Sequence, residues 1–298
     1  MEQLIQKMQN FGIEWEQNCP LSKHSSFHIG GAADLALFPN SSDKLCQALT
    51  LLRECGMPVL VIGKGSNVVF SDEGYRGAVV FTGKCRKIQI EGDTVYADAG
   101  VSLSALSSAA RDEGLSGLEF AFGIPGTLGG AVYMNAGAYG GSMSDVCISS
   151  EYYDLQTGRI ERLFEGEQNF GYRTSDYQSH PERIILGATM KLKRGEHRLI
   201  SEQMRTYWDK RRNTQPLELP NAGSTFKRPE GYFAGKLIED CGLKGLTVGG
   251  AQVSTKHAGF IVNIGGATCE DVKRLIEQIK ATVLQQTGVA LECEIKFL

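Results

Sequence analysis

An α+β fold in more than one domain is what the sequence predicts, and three observations lead there. Candidate strands come in runs broken by single helices, which is not the regular alternation of a doubly wound sheet. The character of the chain changes after Lys193, where a long charged helix begins, so a domain boundary is expected near residue 195. Glycine supplies 36 of the 298 residues, about 12% against a usual ~7%. No collagen period or solenoid repeat accounts for it. The glycines gather in a few loops, where backbone must approach something closely or take positive φ.

The elements follow in order. Residues 42–56 read as a helix with Ser42 as its cap and Leu45, Leu49 and Leu52 as one apolar stripe. Pro58 precedes a short buried strand, "VLVI" (59–62), which runs directly into "GKGSNVVFSDEG". Strands are expected at "GAVVF" (77–81) and "TVYADAG" (94–100). Ser102 starts a helix to about Asp112, and a second glycine-rich run fills 123–141. "ISSEYYDL", "RIERL" and "RIILGATMKLK" (183–193) read as further strands. After the charged helix "GEHRLISEQMRTYWDKRRN" come a helix near 232–241, strands around 247–253 and 259–264, and a helix at 268–286. Thr268 and Asp271 form a capping pair for that last helix, with Val272, Leu275, Ile276 and Ile279 on one face.

Composition narrows the function class. A formal net charge of −3 gives no reason to expect nucleic acid or an anionic membrane as partner. The N-terminal "MEQLIQKMQNFG" lacks the apolar core of a signal peptide. No apolar run approaches the ~18 residues of a membrane span. A cytoplasmic protein is therefore expected. The eight cysteines (19, 46, 55, 85, 147, 241, 269 and 293) form no C-x-x-C pair, and the five histidines are scattered. Neither a metal site nor a disulfide framework is expected; buried thiols in a reducing compartment are.

"GKGSN" (63–67) contains a G-x-G, but a dinucleotide-binding Rossmann fingerprint needs a third glycine where Val68 stands. Two readings stay open for it. It is a tight turn, or an anion loop whose backbone amides converge on phosphate with Ser66 and Asn67 adding donors. The second run, "FGIPGTLGGAVYMNAGAYGG" (122–141), surrounds Asn135 with glycine and alanine. That much unhindered backbone implies a flat or extended ligand lying along it. Two such loops in one domain fit a dinucleotide better than a small metabolite.

Five motifs now stand in order: "GKGSN…SDEG", "GIPGTLGGAVYMNAGAYG", "FGYRTSDY", "NAGSTFKRP" and "LECEIKFL". Together they resemble the UDP-N-acetylenolpyruvoylglucosamine reductases, bacterial flavoenzymes of peptidoglycan precursor synthesis, over residues 24 to 298. The resemblance implies a fold like that of the vanillyl-alcohol-oxidase (PCMH-type) flavoproteins. Two α+β subdomains, about 1–83 and 84–195, would form an FAD-binding region, and 196–298 an α+β substrate-binding domain. It assigns Gly63, Lys64, Gly65, Ser66 and Asn67 to the FAD pyrophosphate. Gly123, Ile124, Pro125, Gly126, Gly129 and Gly130, with Asn135, Ala136 and Gly137, would line the rest of the cofactor. Neither loop holds a histidine or cysteine for covalent attachment, so FAD is expected to be non-covalent, with NADPH as hydride donor. The partners implied are small molecules, UDP-N-acetylglucosamine enolpyruvate and NADPH, with no obligate protein partner. No inserted segment follows Ser224, which resembles the family's shorter form, lacking an extra tyrosine-bearing loop.

The implied reaction adds hydride to an enolpyruvyl C=C, so the protein must stabilise an enolate and give one proton. By the same resemblance Ser224 matches the general acid and Arg173 the arginine beside the substrate carboxylate. Glu294 matches a C-terminal glutamate. The family usually reads L-E-P-E there, and this chain has Cys293 in place of the proline. Strand alternation in "VALECEIKFL" puts Glu292, Glu294 and Lys296 on one face; only the motif separates Glu294 from Glu292. Lys227, Arg228 and Tyr172 read equally as solvated side chains or as substrate contacts. His257 lies far from Ser224, and no G-x-S-x-G turn surrounds that serine, so a hydrolase is not supported. The competing readings are another non-covalent FAD oxidoreductase of the same superfamily, or a non-catalytic flavin or sugar-nucleotide module.

Overall fold

Local side-chain caps open three of the seven α-helices in the computed structural model, which describes residues 1–298. Helix α1 spans Glu2–Asn10 and α2 spans Ser42–Glu54. The cap of α2 is Ser41, which accepts from the Lys44 amide at 3.2 Å. The expected cap, Ser42, is already the first helical residue because the chain is still extended at Ser41 (φ −152°, ψ 162°), and its hydroxyl donates to Asp98 Oδ1 at 2.9 Å. Ser102 caps α3 (Leu103–Asp112) through the Ala105 amide, as read from the sequence. Helices α4 (Leu128–Met134), α5 (His197–Thr214) and α6 (Ala234–Asp240) follow. The last helix, α7 (Cys269–Thr287), opens on the Thr268–Asp271 capping box and stops at left-handed Gly288. The first forty residues, left unassigned from sequence, hold α1 and the strands Glu14–Pro20 and Ala32–Phe38.

The chain forms two compact units. One comprises 1–17, 34–64 and 76–210, the other 18–33, 65–75 and 211–298. In the first, a five-stranded antiparallel sheet runs in the order Ile160–Phe164, Cys147–Asp154, Arg183–Lys191, Thr94–Asp98, Ile88–Glu91. Leu103, Leu106, Leu128, Val132 and Met190 belong to its core. A second core gathers the Leu45, Leu49 and Leu52 stripe of α2 with Leu4, Met8, Leu35, Leu37 and Val80. There Val59–Ile62 pairs in parallel with residues 78–81.

The second unit carries a four-stranded sheet in the order Asn221–Ser224, Phe260–Asn263, Ala251–Val253, Thr247–Val248. Helix α7 buries Val272, Leu275, Ile276 and Ile279 in its core. Each such side chain contributes about 1.5–3 kcal/mol relative to staying in water.

This division differs from the expected cut near residue 195. Segments 18–33 and 65–75 count with the C-terminal unit, because Val68–Val69 pairs in parallel with Lys296–Phe297 and Asp72 caps α7 through the Cys269 and Glu270 amides. Most of α5 counts with the first unit, where Tyr207 stacks on Tyr139 at 4.4 Å and Trp208 meets Phe122 edge-on at 6.4 Å. Such non-local pairings leave no mark on local composition.

Residues 289–298 do not form the single strand expected. Only Lys296–Phe297 is strand, and Cys293 makes an isolated bridge to Phe226. The alternation survives as burial, with Leu291 and Ile295 in the core. Cys55, the residue that ends α2, is exposed, a departure from the expectation of buried thiols. No helix is long and apolar enough to cross a membrane.

Candidate active site

Strand Val59–Ile62 delivers the chain to Gly63. A Cβ added there would lie 2.1 Å from the Thr127 hydroxyl, so only glycine permits this approach. Thr127 occupies the N-cap position of α4, but its side chain caps nothing, and its buried Oγ1 has no hydrogen-bond partner in the protein. An unpaired buried hydroxyl costs about 1–3 kcal/mol.

The run 123–130 is not free backbone. Leu103 N donates to Gly126 O, and Leu128 N and Gly129 N donate to Val101 O and Ala99 O. Gly123 N donates to Ser104 Oγ. From Leu128 onward the run is helix. Small residues here also let α4 pack closely on residues 99–103, so the run is less unhindered than the sequence suggests. Ile124 and Ala136 pack against the core, whereas Lys64, Pro125 and Gly130 are exposed.

Arg173 sits in a two-residue turn closed by the Gly171–Thr174 bridge, with a left-handed φ of 56°. That conformation costs an L-residue about 1–2 kcal/mol, so neighbours must hold it. Asn135 Nδ2 donates to Gly171 O at 2.9 Å, and Gln178 Nε2 donates to Arg173 O at 2.9 Å. The guanidinium donates to Gly137 O at 3.2 Å and lies 5.2 Å from the ring of exposed Tyr172. Asn135 and Gly137, expected to line the cofactor, thus bond the Arg173 turn.

In the second unit Gly65 has φ 61°, and a Cβ there would lie 2.3 Å from His24 O. Ser26 joins this loop to the "NAGS" strand. Its amide donates to Gly65 O at 3.1 Å and its hydroxyl to Asn221 O at 2.7 Å. The pairing of that strand with Phe260–Asn263 shifts register between Asn221 and Ser224, a local distortion of the kind that re-aims a side chain. Ser224 emerges exposed, with no hydrogen bond from its hydroxyl to the protein.

Glu294 lies alongside. Its amide donates to Thr225 O at 2.8 Å, and the Lys227 amide donates to Glu292 O at 2.8 Å. Neither bond uses the amide of Cys293, so the proline that the motif resemblance implies at this position would have no ladder bond to lose. Burial pushes the Cys293 thiol up, which keeps it neutral beside Glu294. Asn67 Nδ2 reaches Glu294 O at 3.4 Å. The structure also separates the two glutamates that alternation could not. Glu292 is exposed and ion-pairs with Lys227, whereas Glu294 is half-buried. Arg228 stacks over Phe233 at 4.0 Å.

The structure therefore groups Ser66, Asn67, Ser224 and Glu294 in one unit, and Gly63, Asn135, Gly137 and Arg173 in the other. Sequence reasoning missed Ser26, Thr127 and Gln178. Thr127 stands inside a motif already singled out; Ser26 and Gln178 carry no signal short of the fold. The residues fit a bound dinucleotide on one direct observation: the orphaned Thr127 hydroxyl, beside a glycine that admits no Cβ, lacks the partner such a group would bring.

Residues 33–163 match the family described as FAD binding domain, and 215–298 match UDP-N-acetylenolpyruvoylglucosamine reductase, C-terminal domain. The UDP-N-acetylenolpyruvoylglucosamine reductase of Pediococcus pentosaceus is 46% identical over 94% of this chain and 92% of its own. That of Caldanaerobacter subterraneus subsp. tengcongensis is 47% identical over 94% and 92% respectively. The crystal structure of UDP-N-acetylenolpyruvylglucosamine reductase from Thermus caldophilus superposes with a TM-score of 0.80 at 33% identity, covering 96% of this chain and 98% of that one. Matched along nearly its whole length in both sequence and fold, the chain belongs to the UDP-N-acetylenolpyruvoylglucosamine reductase family.

Proposed function

We propose that this protein reduces UDP-N-acetylglucosamine enolpyruvate to UDP-N-acetylmuramate, a peptidoglycan precursor, in the cytoplasm, with NADPH as hydride donor and FAD held non-covalently. Bound FAD supplies the hydride transfer between NADPH and the terminal enolpyruvyl carbon. The observation that supports the roles assigned below is the Ser224 hydroxyl, exposed and unbonded one residue from the carbonyl that holds Glu294.

The chain's own residues handle charge and proton. Ser224 gives its proton to the α-carbon of the substrate, which becomes strongly basic once its neighbour has gained hydride. The alkoxide left on Ser224 takes a proton back from solvent, so proton and charge balance over a turnover. Arg173 faces the substrate carboxylate, where a planar guanidinium suits the enolate-like charge. Glu294 orients the reacting groups beside Ser224. Gly63 to Asn67, Gly123 to Gly130 and Thr127 hold FAD. Tyr172, Lys227 and Arg228 contact the substrate; for Lys227 that contact replaces its ion pair with Glu292.

Rapid-mixing kinetics test this reading. Release of intact FAD from a yellow protein by acid or heat is expected, with NADPH consumed in proportion to the enolpyruvyl substrate supplied. NADPH oxidation indifferent to that substrate would favour another FAD oxidoreductase of the superfamily. A protein that takes up no FAD would end the proposal.

A further inference from the structure

Helix α4 ends at Met134, and its last turn leaves carbonyls with no partner inside the helix. The Asn135 and Ala136 amides take those of Val132 and Ala131, and the Arg173 segment takes that of Tyr133. Tyr133 O accepts from Ser175 Oγ at 2.7 Å and from Gln178 Nε2 at 3.0 Å. Gln178 Nε2 also reaches Arg173 O, at 2.9 Å, so one amide group bonds both the helix end and the strained residue. Asn135, the left-handed C-cap of α4, is 7% exposed, and its side chain is fully engaged. Oδ1 accepts from Ser144 N at 2.9 Å, and Nδ2 donates to Gly171 O at 2.9 Å and Ser144 Oγ at 3.4 Å.

We infer that Asn135 and Gln178 are positioning residues for Arg173. They fix its turn to the C-terminal end of α4, so that the guanidinium is held in place before substrate arrives. Resting on the role proposed above for Arg173, this deepens that reading and moves Asn135 from cofactor lining to a clamp. Preorganised charge acts on a developing enolate without reorganisation at the moment of reaction. A clamp on a turn whose backbone is strained is the arrangement that supplies it.

The test has a readout independent of flavin chemistry. Arg173 lies in a turn beside exposed Tyr172 and Thr174, where trypsin would cut if the turn opened. Asn135→Gly removes the side chain yet tolerates left-handed φ, and Gln178→Ala removes the second tie. Each is expected to speed cleavage after Arg173 about tenfold, with cuts elsewhere unchanged. Each should also slow the substrate-dependent step roughly tenfold in an otherwise wild-type background and hardly at all in an Arg173→Ala background. Affinity of the apoprotein for FAD should stay within about twofold, on the scale of an unaffected contact. Unchanged cleavage, or equal slowing with and without Arg173, would overturn the clamp. A large loss of FAD affinity in Asn135→Gly would return that residue to the cofactor. An Arg173→Ala variant as fast as wild type would instead sink the catalytic role of Arg173, and positioning with it, even where trypsin shows the turn opening.

Discussion

The turn that carries Arg173 is tied by side chains from two flanking segments, whereas the strand end that carries Ser224 leaves its hydroxyl unbonded. The contrast follows from what each group is asked to do. Charge stabilisation works best from a fixed donor, because a mobile one must reorganise as charge develops. A proton donor needs the opposite. Its hydroxyl must turn toward whatever is basic, and a hydrogen bond to the protein would hold the proton back. Strained backbone therefore belongs with Arg173, and a local register shift that exposes the side chain belongs with Ser224.

The largest effect that could break this comparison is at Ser224. Ser224→Ala should lower turnover by roughly 10²–10⁴, the scale of general acid catalysis. NADPH should still reduce the flavin at close to the normal rate, since that half-reaction protonates no substrate. Ser224→Cys keeps a proton donor and should retain more activity than alanine. Stopped-flow measurement of each half-reaction decides; normal turnover by the alanine variant would remove Ser224 from the mechanism.

Next come the charged groups. Arg173→Ala and Glu294→Gln should each slow substrate reduction by about tenfold to a hundredfold, with FAD content near normal. Arg173→Gly sharpens the point, because it loses the same guanidinium while relieving the positive φ. It should melt higher than Arg173→Ala, by about 1 kcal/mol of stability, at similar activity. If the alanine variant is the more stable, the turn is not strained.

A smaller effect separates a residue that serves a ligand from one that serves the fold. Thr127→Val keeps shape but removes the unpaired hydroxyl. The apoprotein should melt at the same temperature or higher, while FAD binds about tenfold more weakly, the scale of one lost hydrogen bond. Unchanged FAD affinity would mean that the hydroxyl plays no part in the cofactor site. The smallest change is expected at Glu292→Gln, which breaks an ion pair whose carboxylate side is 72% exposed. Such pairs contribute about 0–1 kcal/mol, so turnover should change less than about threefold. A large loss would place Glu292 itself in the reaction.

Much of the fold was legible because it is local. Helices α3 and α7 begin where Ser102 and Thr268 stand, since a cap hydroxyl and the amide it bonds are three residues apart. Strand Val59–Ile62 and the apolar stripe of α2 were readable for the same reason, periodicity within one element. The candidate residues were legible only as motif matches. Nothing in the composition of "GYRTSD" announces a strained arginine, and alternation could not divide Glu292 from Glu294.

What the sequence by itself determined, then, is the class of fold, most element positions, the family and the short list of residues to suspect. Tertiary structure decided the rest. It moved residues 18–33 and 65–75 into the C-terminal unit, turned part of a glycine run into helix α4, and gave the Thr268–Asp271 helix a second cap from Asp72. It also committed Asn135 to a turn 36 residues away. Each of these rests on a hydrogen bond or strand pairing between residues far apart in the chain. Local propensity cannot encode such a contact, because the partner is chosen only when the whole chain has closed on it.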